Sequence, residues 1–221
     1  MILCIADLLS PEALAEIRRA LDAAAYVDGR ETAGWHARLV KRNRQMDARM
    51  SAVLQSPVLD ALRRNEVFRA AVLPRRFRPV LFSRYETGMA YGAHVDDAVM
   101  GGDDPVRSDV SFTLFLCPPE SYAGGELVIE TTAGEQAFKL DAGAAVVYPS
   151  TTLHRVDPVR SGVREAAVGW AQSLVRNAEQ RELLFELDTT RRALFRQQGK
   201  TAEFDRLAKV YANLLRMWAE P

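Results

Sequence analysis

Between Arg78 and Val175 the chain runs in short β-branched and aromatic stretches cut by Gly, Pro and Asp, a texture that specifies an antiparallel sandwich or barrel. The runs fall at Val80–Tyr85, Ala93–Val95, Ser111–Leu116, Glu126–Glu130, Gln136–Leu140, Ala144–Tyr148, His154–Val156 and Arg164–Val175. About eight strands in roughly a hundred residues is the count of a double-sheet jelly roll. The expected fold is therefore mainly β with flanking helices (α+β), built on a double-stranded β-helix (jelly-roll) core.

The flanks read as helical. Ser10-Pro11-Glu12 is a helix start: a capping hydroxyl, a proline in the first turn and an acid at the positive dipole end. Leu14, Ile17, Leu21 and Ala24 then recur at helical spacing. A second helix is expected from roughly Asn43 to Arg64, with Met50, Val53, Leu54 and Leu62 on its apolar face. After Asn177, Leu183, Leu184, Leu187 and Leu194, then Phe204, Leu207, Val210, Tyr211, Leu214 and Leu215, mark two amphipathic helices around Gly199. The division is 1–77 as a helical region packing on the core, 78–177 as the core and 178–221 as a helical extension. The apolar residues of that extension serve either the chain's own barrel or a second subunit.

Lys plus Arg and Asp plus Glu both number 29, which removes the global electrostatic reason to expect nucleic acid or an anionic membrane as partner. Cys4 and Cys117 are too few for a disulfide framework. With no apolar run long enough to span a bilayer and no basic leader ahead of Asp7, a cytoplasmic location is expected.

The chain has three histidines, and two sit where a metal would explain them. In His94-Val95-Asp96, residues two apart on a strand project from one face, so an imidazole and a carboxylate converge. His154 follows 58 residues after Asp96. Two imidazoles and one carboxylate leave coordination sites open, the ligand set of Fe(II) oxygenases. Alone, the pattern favours a hydrogen-bonded His–Asp pair in a turn or a capped strand end. Arg164, ten residues beyond His154, opens a strand and can clamp a carboxylate through paired hydrogen bonds, or lie at a sheet edge.

Those four positions match the pattern of the 2-oxoglutarate-dependent dioxygenases of the prolyl 4-hydroxylase type, HxD, a distant His and a basic residue ten further on. Arg84-Tyr85-Glu86-Thr87-Gly88-Met89 and the Gly124-Gly125-Glu126-Leu127 turn add to the match. Phe82 through Ala98, Tyr148-Pro149-Ser150 and Leu153-His154 are similar to the bacterial PKHD-type (PiuC-like) hydroxylases, over nearly the whole chain. The resemblance implies Fe(II) on His94, Asp96 and His154, 2-oxoglutarate on Arg164 with a hydrogen bond from Tyr85, O₂ as cosubstrate and L-ascorbate as reductant. It implies hydroxylation of an unidentified protein or small-molecule substrate, coupled to decarboxylation of 2-oxoglutarate to succinate, and a link to iron homeostasis. A non-catalytic iron/2-oxoglutarate sensor and a cupin-like enzyme using another divalent metal stay open as alternatives, although Arg164 speaks against the latter.

Ser111, Thr113 and Phe115 alternate on one strand, as do Val168 and Trp170 on another, and each set either lines a pocket or packs in the core. His36 carries no metal role, and Asp97 is expected to turn away from its neighbour Asp96. The polar segment 98–108 is a lid or a plain connection. Arg75, Arg76 and Arg78 form a basic cluster just before the core, either a solvated face or a contact for an anionic substrate.

Overall fold

Every side chain of the strand Val110–Phe115 is buried, because the two faces it presents are covered by different things. Val110, Phe112 and Leu114 point out into a large apolar cluster with Ile17, Leu21, Leu54, Val58, Leu62 and Phe68 from the N-terminal helices. Ser111 and Thr113 point the other way, into the barrel. Each large aliphatic or aromatic residue fully buried on the outer face contributes about 1.5–3 kcal/mol. That adhesion leaves the inner face free to carry polar chemistry.

The computed structural model describes residues 1–220. Its larger sheet has eight strands, in the order Leu3–Ile5, Ala145–Pro149, Val110–Phe115, Arg164–Ser173, Leu81–Tyr85, Arg44–Met46 and Tyr26–Asp28, with Pro74–Phe77 also pairing to Arg164–Ser173. The facing sheet has five strands, Gly134–Phe138, Leu127–Thr131, His154–Val156, Ala90–His94 and Lys41–Arg42. The pairings within both sheets are antiparallel. Two such sheets facing each other make the jelly roll expected from the strand count.

Helix α1 (Pro11–Asp22) starts where expected, with the Ser10 hydroxyl accepting from the Ala13 N–H. The second helix, α2 (Ala48–Arg64), begins later than Asn43. Asp47 caps it by accepting from the Arg49 N–H, and the residues before the cap are extended. Arg44 and Gln45 pair with Arg84 and Ser83, and Tyr26–Asp28 pairs on the other side. Residues with weak strand propensity are held there by partners distant in the chain. The first 77 residues, expected as helical, thus also supply strands to both sheets. A short helix, α3 (Glu66–Val72), capped by Asn65, follows.

At the other end, α4 (Ala178–Gln198) and α5 (Ala202–Trp218) pack as a pair around Gly199. Buried Arg181 ties α4 to the core by donating to the carbonyls of Val175 and Arg176. The Glu220 N–H returns to the Leu174 carbonyl, and its carboxylate pairs with Arg107. No helix among the described residues is long and apolar enough to cross a membrane.

Candidate active site

His94 and His154 are cross-strand partners in the smaller sheet, so the pairing register sets their imidazoles side by side, with ring centroids 4.3 Å apart. Each Nδ1 lies against a carbonyl, Gly92 O at 2.9 Å for His94 and Thr152 O at 3.1 Å for His154. A carbonyl only accepts, so both Nδ1 atoms carry the proton and both Nε2 lone pairs face the barrel interior. Burial, then the neighbouring His154, pushes the His94 imidazolium down to about 4, which keeps this ring neutral at physiological pH.

The Ala90–His94 strand has ended before Asp96, yet the carboxylate reaches the two rings, with Oδ1 3.8 Å from His154 Nε2. A hydrogen bond of 2.6 Å from the Ser111 hydroxyl to Asp96 Oδ2 aims it. Ser111 in turn lies 2.7 Å from the Ser150 hydroxyl, so a strand of the larger sheet and the residue just past another steer a carboxylate that follows a strand of the smaller one. One donor atom from each of His94, Asp96 and His154 falls within 4.8 Å of the others, the reach of a single ion. Two imidazoles and a carboxylate fit Fe(II) with positions left open.

Arg164 lies in the larger sheet directly across from Tyr85. Its side chain is 1 % exposed, with the guanidinium 5.1 Å from the Tyr85 ring and 5.6 Å from the Phe115 ring. Its Nε and Nη2 have no partner among the described residues. Unpartnered donors on a fully buried cation are costly, and a carboxylate is the group that satisfies them. Gly125 makes the room: its φ is +70°, and a Cβ there would sit 3.0 Å from Arg164 Cδ. Burial also pushes the Tyr85 phenol up, so it stays a neutral hydroxyl.

Both groups open on one cavity of about 550 Å³ lined by His94, Asp96, His154, Arg164 and Tyr85. Ser111, Thr113, Val168 and Trp170 line it as well, held as the cross-strand pairs Ser111–Trp170 and Thr113–Val168. Phe115 departs from the expected set: it packs with Leu127, Ile129, Val146 and Tyr148 behind the Arg164 guanidinium and does not border the cavity. Asp97 does border it, against expectation, because the strand has ended and alternation no longer applies. His36 stacks edge-on against Trp35, away from the other histidines. Segment 98–108 forms a hairpin in which Val99, Met100 and Gly101 line the rim, anchored by an ion pair between Asp104 and Arg76. Three cavity residues carried no sequence signal. Lys41 and Tyr91 fall outside every expected strand and helix and Gln45 inside the helix expected from Asn43, and only pairing places them here.

Residues 80–172 match the 2OG-Fe(II) oxygenase superfamily, and 179–220 match the PKHD-type hydroxylase C-terminal domain. A PKHD-type hydroxylase of Gloeothece citriformis is 55% identical over 221 residues, covering 100% of both chains. One of Acaryochloris marina is 56% identical over 222 residues, again with 100% of both covered. Among solved structures, a Pseudomonas putida prolyl-4-hydroxylase aligns over 78% of this chain and 92% of its own, at 24% identity and a TM-score of 0.51. A prolyl hydroxylase from Trichoplax adhaerens, solved with a hypoxia inducible factor peptide, aligns over 83% and 86%, at 15% identity and 0.57. Those structural likenesses carry the fold alone, while full-length identity to the hydroxylases decides for the oxygenase over the cupin-like and sensor alternatives. The chain belongs to the PKHD-type hydroxylases, Fe(II)- and 2-oxoglutarate-dependent oxygenases that use O₂.

Proposed function

We propose that His94, Asp96 and His154 hold the Fe(II) of this hydroxylase, that Arg164 holds the distal carboxylate of 2-oxoglutarate beside Tyr85, and that the substrate occupies the rest of the cavity. The observation that carries this reading is a fully buried guanidinium with two unpartnered nitrogen atoms on the same cavity as three convergent metal donors. Bound iron and 2-oxoglutarate supply the O₂ activation that couples decarboxylation to succinate with hydroxylation of a substrate C–H bond.

The chain's own residues bind, aim and exclude water. The Nδ1–H bonds of His94 and His154 fix the tautomers, and the Ser111 hydroxyl sets the Asp96 carboxylate. Tyr148, buried edge-on against His154, and Trp170 and Val168 wall the cavity. No side chain is required to move a proton in this scheme. Ascorbate serves as the reductant that restores Fe(II) after turnovers without substrate. The free Cys4 and Cys117 support a cytoplasmic setting. The exposed Leu183, Phe195, Val210 and Met217 support self-association through the C-terminal helices. The segments 1–77, 78–177 and 178–221 act as one catalytic unit.

Purified without oxygen, the protein is expected to develop the visible charge-transfer band of an Fe(II)–2-oxoglutarate chelate. Absence of that band, with tight zinc or manganese binding in its place, would overturn the assignment. Ser111→Ala is expected to leave the fold intact and to lower iron affinity by about 10- to 100-fold, the usual loss when a metal ligand's supporting partner is removed. Iron titration of the variant followed at this band checks it, and unchanged affinity would remove Ser111 from the site.

A further inference from the structure

Lys41 is a buried cation that the metal and cosubstrate sites leave unused. It sits on the edge strand of the smaller sheet, in register with Tyr91, and is 5 % exposed. Its Nζ donates to Thr32 Oγ1 at 3.0 Å and lies 5.0 Å from the centroid of the Tyr91 ring. Tyr91 itself stacks on His94 with centroids 3.6 Å apart, so one aromatic ring separates the ammonium from a proposed metal ligand. An ammonium has three N–H donors, and one hydrogen bond uses one of them. No carboxylate pairs with Lys41 among the described residues, although Lys41 lines the cavity.

A buried charge without a counter-ion is costly to keep. Burial accordingly draws the Lys41 ammonium down to about 8. Asp96, whose charge favours the ammonium, is committed to iron in the reading given above. Arg78, a second cation on the same cavity, likewise makes no ion pair among the described residues. Glu31 and Asp97 line the same cavity, yet neither pairs with Lys41 among the described residues, so Lys41 keeps N–H donors free for a ligand. A single ammonium suits a monoanion, whereas a dianionic phosphate calls for several converging N–H groups or a guanidinium fork.

We infer that Lys41 is a substrate-positioning residue that binds a carboxylate of the substrate, so that the enzyme acts on a carboxylic acid or on the free carboxyl end of a chain. This rests on the hydroxylase reading for the location of the reacting centre. The cation itself stands on the geometry of the apoprotein.

The test compares N-acetylglycine with its uncharged counterpart N-acetylglycinamide, titrated calorimetrically without oxygen into protein saturated with Fe(II) and 2-oxoglutarate. Wild type is expected to bind the acid at least about tenfold more tightly than the amide, a gap of about 1.4 kcal/mol. Lys41→Met should lose that preference and Lys41→Arg should recover part of it, with 2-oxoglutarate affinity in both staying near wild type. Equal affinity for acid and amide, no binding of either, or a preference that survives Lys41→Met overturns the proposal. So does inorganic phosphate displacing the acid at lower concentration, or Lys41→Met losing 2-oxoglutarate as Arg164→Met does. A tripeptide with free or amidated C-terminus runs in parallel and tells a chain end from a small acid, either of which supports the carboxylate. Repeating the titration on metal-free Arg164→Met, where the deeper cation is gone, separates the two readings. A persisting acid preference there supports Lys41 even if no iron chelate ever forms, and its loss there counts against Lys41 alone.

Discussion

Arg164→Met is expected to weaken 2-oxoglutarate binding by about 100-fold or more while leaving the metal-free protein at least as stable as wild type. Each charge-assisted hydrogen bond contributes about 1.5–3 kcal/mol. Loss of a two-bond clamp therefore removes at least about 3 kcal/mol, or about 100-fold in affinity. The stability half of the expectation comes from the empty clamp. Arg164 is 1 % exposed with Nε and Nη2 unpartnered, and replacing an unpaired buried charge with an apolar side chain of similar length removes a desolvation cost. The flanking Tyr85 and Phe115 rings already offer apolar surface to the new side chain. Thermal melting of the apoprotein and 2-oxoglutarate titration, read on the same variant, check both halves. A destabilised variant with unchanged 2-oxoglutarate affinity would make Arg164 a structural residue and remove the central support of the proposed site.

His154→Ala is expected to abolish 2-oxoglutarate decarboxylation, by about 1,000-fold or more, well beyond the about 10- to 100-fold cost of losing a mere supporting partner. Among the described residues three donors converge, so in the proposed site removing one imidazole would leave only His94 and Asp96 to hold iron. Folding should tolerate the change. His154 opens its strand, its Nδ1 bond runs to a nearby turn carbonyl at Thr152, and its removal also relieves the crowding of two imidazoles at 4.3 Å. Metal analysis of the purified variant, with circular dichroism to establish the fold, checks this. Stoichiometric iron with wild-type turnover would exclude His154 from the metal site.

The chemistry of the two variants was legible early because it resides in residue types at fixed spacings. His94-Val95-Asp96, His154 and Arg164 stand out in a chain with so few histidines, and each lies in or beside a run with a strand's composition. What local reading could not supply was the supporting cast. Ser111 read as one of an alternating set, and its bond to Asp96 depends on two sheets meeting. Phe115 shares that alternation yet lies behind Arg164, where the second apolar cluster claims it.

The N-terminal third shows the boundary most sharply. Asn43 to Met46 extends a helical-looking pattern in sequence, but pairing with Leu81–Tyr85 and Tyr26–Asp28 makes part of it a strand and carries Gln45 to the cavity. Lys41, in a stretch of charges, becomes a buried ammonium beside Tyr91 for the same reason. By itself the sequence determined the jelly-roll class, the capped first helix, the helical tail and the four residues proposed to bind metal and cosubstrate, since periodicity and residue chemistry are local properties. Tertiary structure alone decided which side chains face the cavity and which remain without partners, because strand register and the meeting of two sheets are set by burial over the whole molecule and bring together residues that no local pattern connects.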